Sequence, residues 1–421
     1  MPSGCTPRIL LIGTADTKSD ELLFIRRRIE AGGGEALIMD VGILGDAPFA
    51  PEIGNAEVAA AAGIALAELA GLGDENAAMA HMARGAARLV GVFHAEGRID
   101  GLLALGGTMG TDLALDAAAA LPVGVPKVVV STIAHSHLLP PERIPADLIM
   151  LLWSGGLYGL NDLCRSSLAQ AAGAILGACR LAQPPRFERP LVGITSLGSS
   201  VLSYMKRLKP ALEARGYEVA VFHTTGMGGR AFEDMAGQGR FAAVFDFSLQ
   251  ELANHLGGSC VTAGASRLTG AGRAGVPQIV APGATDMVDY AAWAEPPPRF
   301  AQRPSHAHNR LIASSMCDQS LRREIAGEIA KRLLLSAGPC CLLLPLRGIE
   351  EWDRPGQPLH DPDGLAAMTG ALRSAVRAPV ELMELDAHIN DAAFSDAALA
   401  VFDRWVAAGR IVPGIHAAVP E

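Results

Sequence analysis

Apolar residues occur in short continuous runs that end at glycine and lead into stretches with apolar positions at helical spacing. Residues 8–12 form such a run, closed by Gly13, and residues 17–31 then carry Leu22, Phe24, Ile25 and Ile29 near a 3.6-residue period. This pattern predicts a strand, a tight turn and a helix. Gly32, Gly33 and Gly34 stop the helix, residues 35–41 supply a second strand, and the Ala-rich segments 55–70 and 76–96 favour helix by propensity. Residues 101–105, ended by Gly106 and Gly107, and residues 127–130 read as further strands. Strands that are apolar throughout and alternate with helices predict parallel pairing in a sheet covered on both faces.

The pattern breaks at residues 183–190, a proline-bracketed polar stretch, which predicts a linker between an N-terminal domain (1–183) and a C-terminal domain (190–421). Beyond it the same grammar restarts with strands at 191–195, 218–222 and 242–247 and helices at 200–215 and 231–237. Later segments add strands at 340–344 and 379–385 and helices at 364–377 and 391–408. The heptad Gly-Val-Pro-Lys-Val-Val-Val at 124–130 recurs as Gly-Val-Pro-Gln-Ile-Val-Ala at 275–281, which points to an internal duplication. The fold class predicted is α/β, with two Rossmann-like, doubly wound domains built on mainly parallel sheets.

Composition narrows the function classes. A chain of 421 residues with 50% hydrophobic and 19% charged residues can bury large cores, which excludes disorder as its main state. The net charge of -9, with Arg26-Arg27-Arg28 as the one cationic run, argues against a nucleic-acid partner. No uninterrupted apolar run approaches the roughly 18 residues of a membrane helix. Seven scattered cysteines without a C-x-x-C pair fit free thiols in a reducing compartment, so a cytoplasmic location is expected.

Ligands of open parallel sheets sit beyond the carboxyl ends of the strands, and two turns there carry candidate chemistry. In the first, Gly13 lets the backbone turn, Thr14 and Thr17 offer hydroxyls, Lys18 offers a charge at a helix start, and Asp16 suits a phosphate-bound Mg²⁺. The second, Gly106, Gly107, Thr108, Met109, Gly110, Thr111, joins glycines that permit close approach to N–H groups opening a helix, a setting for anions. Together they predict a nucleotide clasp, with Asp40, at the end of the second strand, positioned for a ribose hydroxyl. Neither loop has Walker A or G-x-G-x-x-G spacing, which argues against a P-loop and a standard NAD site.

These two loops, with Thr225 to Ala231, Pro282 to Val288 and His308-Asn309 in the same order, resemble the bacterial and plant family named for the ATP-binding inhibitory domain of the tomato protein conferring resistance to tomato mosaic virus. The resemblance covers nearly the whole chain. It implies two Rossmann-like subdomains, ATP with Mg²⁺ in the first, and a homodimer. Met109 stands where the family tends to glycine, and the stretches 133–137 and 154–156 also depart from it.

In the second half, Gly228, Gly229, Arg230 and Glu233 form an anion-accepting turn and helix start, and Asn309 and His308 with Asp286 complete a possible polar cleft. There Asp286 or His308 would act as general base and Arg230 would bind an acidic substrate. The pairs His135/His137 and His306/His308 place imidazoles on one side of an extended chain, a spacing used by zinc or iron sites. The reading that follows is an ATP-dependent enzyme acting on a small acidic metabolite at a cleft between or beside the domains, with Lys18, Arg230, Asp286 and His308 as catalytic candidates. The alternatives are a nucleotide-sensing interaction protein without turnover and a metal-dependent hydrolase or lyase using the His-rich cleft.

Overall fold

The computed structural model describes residues 6–198, 200–357 and 359–416. The chain divides into two units at Arg186/Phe187. In the first, β1 (Arg8–Gly13), α1 (Ser19–Ala31), β2 (Glu35–Asp40), α2 (Asn55–Ala61), α3 (Leu66–Gly71), α4 (Glu75–Ala95), β3 (Gly101–Gly106), α5 (Thr108–Ala119), β4 (Lys127–Ser131), β5 (Ile149–Leu152) and α6 (Asp162–Leu181) follow in order. The five strands form one parallel sheet in the order β2-β1-β3-β4-β5. The apolar runs are continuous because the sheet is buried on both sides: Leu10 and Ile12 enter one core cluster, Ile9 and Leu11 the other. The expected helix 55–70 is two helices, α2 and α3, because Gly63 takes a positive φ of 81° between them.

The second unit contains β6 (Leu191–Ser196), α7 (Met205–Ala214), β7 (Glu218–His223), α8 (Met227–Gly237), β8 (Ala243–Asp246), α9 (Gln250–Leu256), α10 (Gly270–Arg273), β9 (Gln278–Val280), β10 (Met287–Ala291), β11 (Ser305–Ala307), β12 (Ile312–Met316), α11 (Gln319–Leu333), β13 (Cys340–Pro345), α12 (Pro362–Ala375), β14 (Glu381–Leu385) and α13 (Ala392–Ala407). Its main sheet is parallel in the order β7-β6-β8-β9-β13-β14. The antiparallel sheet β10-β12-β11 was not foreshadowed, because its strands are only three to five residues long and polar residues interrupt their apolar positions. Cys340 and Cys341 point to opposite core clusters, and burial pushes their thiols up to about 11 and about 12, as befits packing residues.

The two main sheets wind alike. In each, the first strand is flanked by the second on one side and the third on the other, so the strand order reverses beside it, at β1/β3 and at β6/β8. The recurring heptads lead into β4 and β9, the fourth strand of each unit, so sequence echo and topology coincide. Among the described residues, no helix is long and apolar enough to cross a membrane.

Candidate functional site

The reversal beside β1 sets the first site. β1 and β3 are adjacent and parallel, so the loops leaving their carboxyl ends open side by side. They do line one cleft of about 310 Å³, formed by Thr14, Asp16, Thr17, Lys18, Gly106, Gly107, Thr108, Met109 and Gly110 with Ile43, Leu44, Glu75, Met79 and Leu105. The first loop is a turn in which the N–H groups of Thr17 and Lys18 donate to the Thr14 carbonyl at 3.2 and 2.8 Å, and the two threonine hydroxyls meet at 2.8 Å. Lys18 starts α1, its ammonium 4.9 Å from the centre of the exposed Tyr158 ring. In the second loop a β-carbon on Gly106 would sit 2.5 Å from Gly110 Cα, so only glycine lets β3 turn this tightly into α5. The Asp16 Oδ1 atom is buried without a hydrogen-bond partner.

Three expected ligand groups do not face the cleft. Asp40 is buried, and its Oδ1 accepts the N–H groups of Ala15 at 2.9 Å and Gly42 at 2.8 Å, so it braces the first loop from behind and is not free for a ribose. Burial is the main force raising its pKa. Thr111 is also buried, its hydroxyl 2.7 Å from that of Ser131. Gly13 is needed for packing, since a β-carbon there would press on Leu22 at 3.1 Å. Met109 lines the cleft and is 42% exposed.

In the C-terminal unit the expected cleft is divided. Glu233 pairs with a fully buried Arg267, which also binds Glu251 and Asp246, at N–O distances of 2.6 to 3.0 Å. Arg267 further donates to the Ser248 carbonyl at 2.9 Å, while the Thr195 hydroxyl donates to Asp246 at 2.8 Å, so the reversal beside β6 is filled by protein. Gly228 and Gly229 are required by packing: a β-carbon on Gly229 would lie within the Glu251 carboxylate, which accepts its N–H at 3.1 Å, and one on Gly228 would strike the His223 carbonyl. Gly229→Ala is therefore expected to lower stability by roughly 1–3 kcal/mol, read as the midpoint of urea unfolding. Arg230 pairs with Asp234 at 2.9 Å.

Asp286 belongs to a separate group. It is buried, and both its oxygens lack partners; Glu350 and Asp353, on the loop after β13, and Arg322, on α11, share its electrostatic environment. Burial, then the Asp286 charge, push Glu350 up to about 9 and Asp353 to about 7, and burial also raises Asp286. The Arg322 guanidinium is 3.0 Å from Asp361, with Nη1 unpartnered. A buried carboxyl group held neutral can donate a proton, which is the chemistry this group supports. His308 packs on Trp352, whose ring lies 4.4 Å from both His306 and His308, centre to centre, and whose backbone N–H donates to Glu350. Burial, then His306, lower the His308 pKa. Asn309 is a turn residue, its Oδ1 accepting the N–H groups of Leu311 and Ile312.

His135 and His137 are not on an extended segment: both are exposed in a turn, His135 with φ 63°. Among the described residues no group of three or more His, Cys, Asp or Glu is placed to hold a metal ion. Arg267, Glu251, Glu350, Asp353 and Arg322 escaped the sequence reading. Glu350 and Asp353 had one signal, acids in the loop that follows the carboxyl end of an apolar strand; Arg267 and Arg322 had none.

Family models for the uncharacterised protein family UPF0261 match residues 7–184 (N-terminal domain) and 189–406 (C-terminal domain). A UPF0261 protein of Brucella melitensis is 55% identical over 97% of this chain and 98% of its own length, and one of Clostridium tetani is 34% identical over 92% and 96%. The ToMV resistance protein Tm-1 of Solanum lycopersicum is 28% identical over 93% of this chain, which spans 55% of that protein. Among solved structures, a putative UDP-N-acetylglucosamine 2-epimerase from Listeria monocytogenes aligns at 12% identity and a TM-score of 0.23 over 66% of this chain and 79% of its own. So low a score bears on neither fold nor function.

Proposed function

This chain belongs to the uncharacterised UPF0261 family, and on that premise we propose that it binds Mg·ATP in the N-terminal cleft and uses it, as an enzyme, on a small acidic metabolite taken up by the C-terminal unit. The observation that carries the reading is that both predicted phosphate loops line one cleft at the reversal of strand order.

The residues present fit the group. The start of α5 turns backbone N–H groups and the positive end of its dipole toward the cleft, Lys18 adds a cation, and Ile43, Leu44 and Met79 give an apolar wall for a base. Asp16, with its unpartnered buried oxygen, is the residue that would hold Mg²⁺. When bound, the metal ion neutralises phosphate charge. Lys18 leaves the Tyr158 ring to stabilise the transferred phosphoryl oxygens, and the Thr14 and Thr17 hydroxyls orient them. The homodimer implied by the resemblance belongs to the same proposal.

Purified protein is expected to melt at a higher temperature with millimolar Mg·ATP, and Lys18→Ala to lose that shift, a drop in affinity of about tenfold or more. An unchanged melting curve for the unaltered protein at millimolar Mg·ATP overturns the reading.

A further inference from the structure

One cavity of the C-terminal unit is rich in positive charge. It is an open cleft of about 310 Å³ between α8 and the segment that leads into and forms α10, lined by Arg230 of α8 and Arg273 of α10. Arg273 is exposed and enters no ion pair among the described residues. Among the described residues Arg230 pairs only with Asp234, and its Nε is buried with no partner.

The acid in the wall, Glu233, does not oppose an anion. Its carboxylate accepts the N–H groups of Leu268, Thr269 and Gly270 at 2.5, 3.2 and 2.7 Å, and faces Arg267 at 3.0 Å. Its charge is spent inside the protein. The Thr269 hydroxyl donates to the Ser266 carbonyl at 2.6 Å, leaving the Ser266 hydroxyl as the uncharged donor in the wall. Two guanidiniums, one hydroxyl and an internally neutralised acid make a wall that favours an oxyanion.

We propose that this cavity binds the oxyanion of a small acidic molecule, a phosphoryl or carboxyl group clasped by Arg230, Arg273 and Ser266. The proposal rests on the reading that the C-terminal unit takes an acidic ligand, and is independent of nucleotide binding by the N-terminal unit. It also separates this wall from Asp286, His308 and Asn309, which do not line it.

The test titrates the nucleotide-free full chain with inorganic phosphate and, in a second arm, with malonate, each against sodium chloride at matched ionic strength, following the melting temperature. A shift with either ion beyond the chloride control is expected, and the arm with the larger shift assigns the anion class. Arg273→Gln and Ser266→Glu should each weaken binding by roughly tenfold or more, whereas Arg323→Gln, on exposed α11 surface, should not. Arg273 is exposed, so its loss leaves the fold intact. Lys18→Ala should keep the phosphate response, which distinguishes failure here from failure of the nucleotide reading. Equal shifts in chloride and both anions, or shifts that Arg273→Gln and Ser266→Glu leave unchanged, overturn the proposal.

Discussion

Arg267→Met is expected to destabilise the C-terminal unit by about 3–5 kcal/mol. The substitution keeps much of the side-chain volume but removes the single cation that faces Glu233, Asp246 and Glu251, all of them buried. Even with Arg267 present, burial pushes Glu251 up to about 7. Without it, the carboxylates must take up protons to remain inside, so the loss grows with pH. Urea unfolding followed by tryptophan fluorescence checks this, since Trp293, Trp352 and Trp405 lie in this unit. A loss below about 1 kcal/mol at pH 8 would show that Arg267 is not the keystone its contacts describe.

Glu350→Gln should act in the opposite direction and only above mildly acidic pH. In the folded chain Glu350 is raised to about 9 and Asp353 to about 7, so both stay protonated where the unfolded chain has already released its protons. Their contribution to stability is whole below the ordinary carboxylate range and is lost as pH climbs through the folded values. The unaltered protein should therefore weaken between about pH 5 and pH 9, and the variant should flatten that slope and exceed it at pH 8 by on the order of a few kcal/mol. Gln retains the acceptor for the Trp352 N–H, now 2.8 Å from Glu350 Oε2. Melting curves at pH 5 and pH 8 decide the matter: parallel slopes would mean that Glu350 is ionised in the folded chain.

The central strands of both main sheets were legible because a parallel strand buried on both faces is written as an unbroken apolar word, and the glycines that close those words mark the turns; the partly exposed edge strand β5 and the antiparallel strands β10, β11 and β12 lack that signature. The pairing of the loops at 13–18 and 106–111 was legible for the same reason: each follows such a strand. What could not be read was which side chains turn inward. Asp40 and Thr111 occupy positions that suit a ligand, yet each is drawn to a backbone or hydroxyl partner within the protein. Gly228 and Gly229 have the spacing of an anion turn but make room for Glu251 and His223, on segments up to 22 residues away in sequence. Arg267 stands in a polar, turn-rich stretch, and only the fold reveals that three acids from three other elements converge on it.

The brace supplied by Asp40 has a thermodynamic corollary. A carboxylate that pins Ala15 and Gly42 from behind fixes the backbone of the first loop in advance, so the nucleotide docking proposed above need not supply that order a second time. Asp40→Ala would consequently leave every rim side chain in place and still slacken the grip, through a steeper entropic toll visible by calorimetry.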